Sequence, residues 1–451
     1  MTLIGLLGFV TVILVAMLLL HGYLWWRLVR STTRPGRARQ GLTALTVVLG
    51  LLPALAVGLR GTLPLDAAAP LDWVAYSWLG IAFYAFLALL VLEPVRLVGR
   101  VLLKKRDDGF MPSEARTRTA QEGNEEVARS GARRPPRRRD EWAQGERGTA
   151  PGRGAVREDG GVIAGNVTAP LPRRMFLARS LAVTAGAVAL GTAGTGAYIA
   201  NSAPVVRRVP ITLPRLEPAL DGLRIVTFSD AHLSATYGGR RFERLVEIVN
   251  GQRPDVVAIV GDLVDGSVDE LREDVAPLKD LVSEQGVFFV TGNHEYFVDT
   301  RAWLRHLPTL GVDVLHNERV PIRRGTASVD LAGVDDRTAA RSGVPGQGAD
   351  LDAALDGRDD STPVVLLAHQ PVMVQQARAA GVDLQLSGHT HGGQLWPFDY
   401  AIRLDQPSVE GYSRHGDTQL YVTSGAGYWG PPMRIGARPE VTVVELRASR
   451  S

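Results

Sequence analysis

The stretch DVVAIVGDLVD at residues 255–265 decides the fold. Five apolar residues in a row read as a short strand. The run breaks at once into Gly261, Asp262 and, three residues later, Asp265. On the amino side, RRFERLVEIVNGQ at 240–252 carries its apolar residues at helical spacing. A second helix is expected over 268–285. Further strands are expected at 223–229, 287–291, 312–318, 328–333, 363–368 and 382–387, with a strand-rich end at 418–446. Strands alternating with helices imply parallel βαβ units, so the region from 204 to 451 reads as an α/β domain.

Short polar blocks stand at the ends of these expected strands. They are Asp230-Ala231-His232, Gly261-Asp262-Leu263-Val264-Asp265, Gly292-Asn293-His294-Glu295, His369, and Gly388-His389-Thr390-His391. Loops at the carboxyl ends of parallel strands are where α/β proteins assemble sites. In an extended strand end, residues two apart share a side, so Asp230 with His232, and His389 with His391, should each aim into one pocket. Singly the blocks are weak: Asn293 alone reads as a turn residue and Asp262 as a helix cap. Jointly they hold five of the nine histidines, with the nitrogen and oxygen donors that suit Mn, Zn, Fe or Co. The chain has no cysteine, which excludes disulfides, thiolate metal sites and a cysteine nucleophile. A net charge of +3 gives no sign of a nucleic-acid partner, and none is expected.

The ordered set resembles the calcineurin-like metallophosphoesterase superfamily, whose blocks run D-x-H, GD-x-x-D, GNH-D/E, H and GH-x-H. All are present in order between 230 and 391, in the C-terminal half only. The resemblance implies a pair of mixed sheets flanked by helices, a four-layer α/β/β/α sandwich. It implies that Asp230, His232 and His391 bind one metal ion, that Asn293, His369 and His389 bind another, and that Asp262 bridges them. His294 matches no ligand position; beside Asn293, it is the natural catalytic group to protonate the leaving oxygen or stabilise the equatorial charge. Asp265 is expected to orient a neighbour; it stands where purple acid phosphatases carry a ligand tyrosine, which argues against an iron–tyrosinate site.

Two divalent ions less two carboxylates leave about +2, suited to a phosphoryl anion and able to make hydroxide available near neutral pH. The expected activity is a metal-dependent phosphoesterase, preferentially a phosphodiesterase. The rivals are a non-catalytic metal cleft for a phosphorylated envelope ligand, and a protein phosphatase. In GAGYWGPPMR at 425–434, Arg434 reads either as a phosphate clamp or, preferred, as part of a packed turn. Asp335 and Asp336, after an apolar strand, either approach the site or, preferred, lie in a surface turn.

Apolar runs at 2–26, 41–59 and 73–92 are long enough to cross a bilayer, and Trp25 and Trp26 suit its interface. Residues 27–40 hold Arg27, Arg30, Arg34, Arg37 and Arg39 without an acidic residue, and 61–72 hold Asp66 and Asp72 without a basic one. The positive-inside rule then puts the N-terminus outside. Residues 1–103 are expected to form three membrane helices. Residues 104–172 are expected to be a disordered cytoplasmic linker, whose RRPPRRR at 133–139 is a solvated flank or a lipid contact. At 173–203, RRMFL and a mildly apolar run resemble a twin-arginine signal, as in the membrane-associated bacterial phosphodiesterase branch, and equally fit a fourth membrane helix. Either carries residues 204–451 across the cytoplasmic membrane. The expected partners are the lipid bilayer and a phosphoester substrate, lipid-linked or borne by the cell envelope.

Overall fold

In the computed structural model, which describes residues 3–59, 62–109 and 173–449, the opening stretch becomes β3 (Val256–Val260). It lies parallel between β2 (Arg224–Phe228) and β4 (Val287–Val290). Every residue of β3 is buried, and strand alternation deals them to two cores. Val256, Ala258 and Val260 enter the core between the sheets. Val257 and Ile259 enter the core under the helix Gly239–Asn250, with Phe242 and Leu245.

Among the described residues there are two six-stranded sheets. The first runs β1 (Val205–Leu213), β12 (Glu440–Ala448), β2, β3, β4 and β5 (Asp313–Val314). The second runs β10 (Gly411–His415), β11 (Thr418–Val422), β9 (Leu384–Ser387), β8 (Val364–Leu367), β7 (Ala327–Gly333) and β6 (Glu318–Arg324). Leu331, Val365, Leu367, Leu384 and Leu386 meet the first sheet across the sandwich. Leu351, Ala354, Met373 and Ala377 cover the outer face of the second sheet. This is the four-layer α/β/β/α sandwich. The sheets are mixed rather than parallel throughout, because β12–β2, β6–β7 and β10–β11 pair antiparallel.

The strands absent from the sequence reading, β1, β6 and β10, all lie at sheet edges, and β5, found shorter than expected, is the remaining edge. An edge strand with one solvated face carries polar residues and Pro, as with Arg207, Arg208, Pro210 and Thr212 in VVRRVPITL of β1, and loses the apolar signal. The expected helix over 268–285 stops at Val275 and tightens into a 3₁₀ turn, Ala276–Asp280, that contains Pro277.

Among the described residues, those up to Val91 and from Ala182 onward form one compact unit, and those between Leu92 and Leu181 fall in a second. The first unit contains α1 (Leu3–Leu24), α2 (Arg37–Gly58) and α3 (Leu65–Val91). The second contains α4 (Glu93–Gly109), which carries helix past the boundary expected at 103. Among the described residues α2, α3 and α5 (Arg173–Ala200) are long and apolar enough to cross a membrane. Helix α3 starts before the expected 73, so Asp66 and Asp72 lie on it rather than in a loop. From residue 110 onward, RRPPRRR included, the linker expected over 104–172 lies outside the described residues.

Candidate metal centre

The carboxyl ends of β2, β3 and β4 in the first sheet meet those of β8 and β9 in the second. Asp230 and His232 follow β2, Asp262 follows β3, Asn293 and His294 follow β4, His369 follows β8, and His389 and His391 follow β9. The convergence does not come from strand alternation, as the sequence reading had it. Asp230, His232, Asp262, His389 and His391 all have positive φ, between 49° and 72°. They sit in left-handed turns just beyond the strands, a conformation that costs a non-glycine residue about 1–2 kcal/mol. Strain of this kind persists where surrounding structure fixes it, commonly at functional sites. Gly292 leaves no room for a side chain, because the Asp262 carboxylate and backbone nitrogen already occupy that space.

The donor atoms gather in overlapping groups that could hold metal: Asp230, His232 and His391; Asp262, His369 and His389; and His232, Asp262 and His294. Within each group the atoms lie within 4.8 Å of one another. The Nε2 atoms of His232 and His391 face each other at 3.0 Å, and Asp230 Oδ1 is 3.3 Å from His391 Nε2. His369 donates from Nδ1 to Val260 O at 2.7 Å, which turns Nε2 toward the donor group that it shares with Asp262 and His389. That Nε2 is 3.1 Å from Asp262 Oδ2, an ion-pair distance, but is a buried nitrogen without a hydrogen-bond partner. Asn293 Oδ1 is likewise buried without one. Buried polar atoms are normally satisfied, so one orphan inside a donor group and a second on the residue next to His294 fit a cation bound there. Nitrogen and oxygen donors of this kind suit a borderline-to-hard divalent ion.

The charges are arranged to match. Burial pushes Asp262 up, but His369, His294 and His232 hold it well below the ordinary carboxylate range. Burial lowers His389, with His369 adding to it, to about 3, so its ring is neutral and free to bind a cation. Burial by itself lowers His294, but Asp262 and Asp265 outweigh it and raise the ring to about 9.

Asp265 is the hinge of this arrangement. Its Oδ1 accepts from His232 Nδ1 at 2.9 Å and from His294 Nδ1 at 2.7 Å, so one carboxylate fixes both rings. Glu295 does work that the sequence reading left out. It is buried, and its carboxylate accepts from the backbone N–H groups of Gly292 at 2.6 Å, Leu263 at 2.8 Å and Asp262 at 3.0 Å. It thereby ties the loop after β4 to the loop after β3. The only sequence signal was an acidic residue closing the GNH block.

Residues 425–434 divide between the two readings. Arg434 is fully buried, and its guanidinium reaches Gly427 O at 2.7 Å, Ser424 O at 2.7 Å and His391 O at 3.2 Å. It is a packing residue beside His391, not a phosphate clamp. Trp429 is exposed, with its ring 5.4 Å from that of His294; Phe297, also exposed, lies 5.2 Å from the same ring. Asp335 and Asp336 are buried, contrary to the expected surface turn. Asp336 accepts from Gln370 Nε2 at 3.0 Å, and Asp335 pairs with His316 at 2.6 Å.

The family model for calcineurin-like phosphoesterases matches residues 223–393, which hold every one of the candidate ligands. A transmembrane protein with metallophosphoesterase domain from Danio rerio is 41% identical over 259 residues, covering 56% of this chain and 59% of that protein. An uncharacterized metallophosphoesterase of Helicobacter pylori is 38% identical over 57% of this chain and 68% of its own length. One from Aquifex aeolicus is 34% identical over 50% of this chain and 85% of its own. The chain thus spans somewhat under two thirds of the fish relative and most of the bacterial ones. Since the bacterial relatives align over most of their length at better than 30% identity, this chain belongs to the calcineurin-like phosphoesterase family.

Proposed function

We propose that the chain is a metal-dependent phosphodiesterase that works on the extracytoplasmic side of the cytoplasmic membrane. The observation that carries the chemistry is the cluster of histidines and carboxylates, with His369 Nε2 in it and Asn293 Oδ1 beside His294 both buried without a hydrogen-bond partner. Asp230, His232 and His391 would hold one divalent ion and Asn293, His369 and His389 a second, with Asp262 between them. Two such ions supply Lewis acidity toward the phosphoryl group and an activated water.

The protein's own residues do the rest. Asp265 fixes the His294 ring through Nδ1, which points Nε2 at the reacting centre. Hydrolysis forms one P–O bond from water and breaks one ester P–O bond, and the proton needed by the departing oxygen comes from His294 Nε2. Trp429 and Phe297 beside that ring limit the water around it. The location rests on the loop charges, which put 27–40 inside, and on four apolar runs before residue 204.

The test uses the purified full chain. Bound metal is quantified, and bis(4-nitrophenyl) phosphate is offered with and without Mn²⁺, Zn²⁺, Fe²⁺ or Co²⁺. Metal-dependent release of nitrophenolate, abolished by chelation, is expected; a protein that binds no metal and releases none would overturn the reading. A reporter fused after residue 210 tests the side: activity of a cytoplasm-specific reporter there would mean that 173–203 does not cross.

A further inference from the structure

The metal centre and the membrane helices are joined by one continuous piece of chain. From His391 the backbone passes through Gln394, whose side chain grips the second loop: Oε1 accepts from Trp429 N at 3.0 Å, and Nε2 donates to Trp429 O at 2.9 Å. Trp396 N donates to Ile435 O at 2.8 Å and Ile435 N to Gln394 O at 2.7 Å, so residues 394–396 and 429–435 move as one body. This body is fastened to α3 and α5. Tyr84 Oη donates to Trp396 O at 3.1 Å. Gly80 is packed so closely by Met433 and Pro431 that a side chain has no room, and Arg434 N donates to Gly196 O at 2.9 Å.

Tyr84 lies beyond the middle of α3, well inside the apolar helix. The chain that it holds then exposes Trp396 at 55%, Phe398 at 56%, Tyr400 at 65% and Leu404 at 89%. Four large apolar or aromatic groups in nine residues, uncovered by protein, are costly in water. Trp and Tyr beside a membrane helix are the residues of the lipid interface. Continuity with α3 names the occupant of this face: the bilayer.

We infer that residues 396–404 lie against the bilayer beside α3, and that the site cleaves a phosphodiester which stays anchored in the membrane by its own acyl or alkyl chain. The inference rests on the phosphodiesterase reading above and names its substrate class. The wedge grows out of the loop that carries His389 and His391, so the centre opens at the lipid surface. Trp429 and Phe297, exposed beside His294, continue the apolar rim up to the reacting groups. A chain-bearing phosphodiester thus finds apolar wall along its tail and donors and cations at its phosphate. A soluble diester gains only the second.

Two esters with the same leaving group separate these terms: methyl 4-nitrophenyl phosphate in water, and hexadecyl 4-nitrophenyl phosphate in phosphatidylethanolamine–phosphatidylglycerol vesicles that carry the full-length protein. The hexadecyl ester is expected to show a kcat/KM on the order of tenfold or more above the methyl ester. The combined variant Trp396→Ser, Phe398→Ser and Leu404→Ser should erase that advantage and keep the methyl-ester rate within about twofold, which also reports on folding. Equal kcat/KM for the two esters in the wild-type protein would overturn the substrate class. Turnover of neither ester with metal present would instead overturn the phosphodiesterase reading.

A second readout does not use activity. The chain has no cysteine, so Leu404→Cys and Val282→Cys each take a single environment-sensitive fluorophore. Val282, exposed ahead of β4 at the amino ends of the strands, serves as the control. In the vesicles the label at 404 should shift to the blue and be quenched by doxyl lipid, while that at 282 stays in water. Identical, water-like spectra at both positions would overturn the wedge.

Discussion

β3 and the five residues that follow it are one unbroken stretch, yet they obey opposite rules. Along Val256–Val260 every group is buried, the backbone is regular, and each side chain has an apolar neighbour on one of two faces. From Gly261 to Asp265 the chain turns left-handed at Asp262 and presents carboxylates to a crowd of imidazoles. The first half contributes stability, roughly 25 cal/mol for each Å² of apolar surface removed from water. The second half spends some of it on strain and on desolvated charge. The fold and the site are therefore separable, and substitutions on either side of Gly261 should fail in different ways.

Asp262→Asn should show the largest loss on the site side. A neutral amide bridges two cations poorly, so turnover should fall by about 10³-fold or more and the metal content should drop, with the circular dichroism spectrum unchanged. Near wild-type turnover at full metal loading would break the two-metal assignment.

His294→Ala should lose about 10²–10⁴-fold on diesters with alkyl leaving groups, much less with nitrophenolate, and should keep its metals. An equal loss across leaving groups would move His294 from acid to stabiliser of phosphoryl charge. Loss of metal would make it a ligand, as its place in one donor group with His232 and Asp262 allows.

Asp265→Asn sharpens the contrast, because it touches neither ion in the assignment above but holds His232 and His294. About 10–100-fold in metal affinity or activity is expected, the usual effect of removing a group that orients a ligand. A calorimetric metal titration beside kinetics would show which of the two rings matters more.

Ile259→Val lies on the other side and should be the mildest. Removal of one buried methylene should cost about 0.5–1.5 kcal/mol in chemical denaturation, with the rate per folded molecule and the metal content untouched. An effect on kcat would mean that β3 and its loop are mechanically coupled after all.

The regular half was the easier to read. Strands β3, β4 and β8 announce themselves as apolar runs, because both of their faces are covered, while β2 and β9 keep only part of that signal, as RIVTF and LQLS. Edges β1, β6 and β10 did not, because one side of each is shared with water. Among the site residues, Asp230, His232, Asp262, Asn293, His294, His369, His389 and His391 were legible because their types and order are unusual, and the structure brings them together. Glu295 was missed, since nothing in a sequence separates a carboxylate that faces a ligand from one that caps backbone N–H groups.

Sequence by itself determined the list of donors, the absence of any thiol, the apolar runs and the alternation of strand and helix. These are local properties, set by residue type and spacing. Tertiary structure alone decided which donors share a centre, that one carboxylate serves two histidines, that Arg434 is walled in, and that the loop beyond His391 leans on α3 with its aromatic face uncovered. Each of these joins residues from well-separated parts of the chain, and only the packed sandwich and its helices bring them within reach.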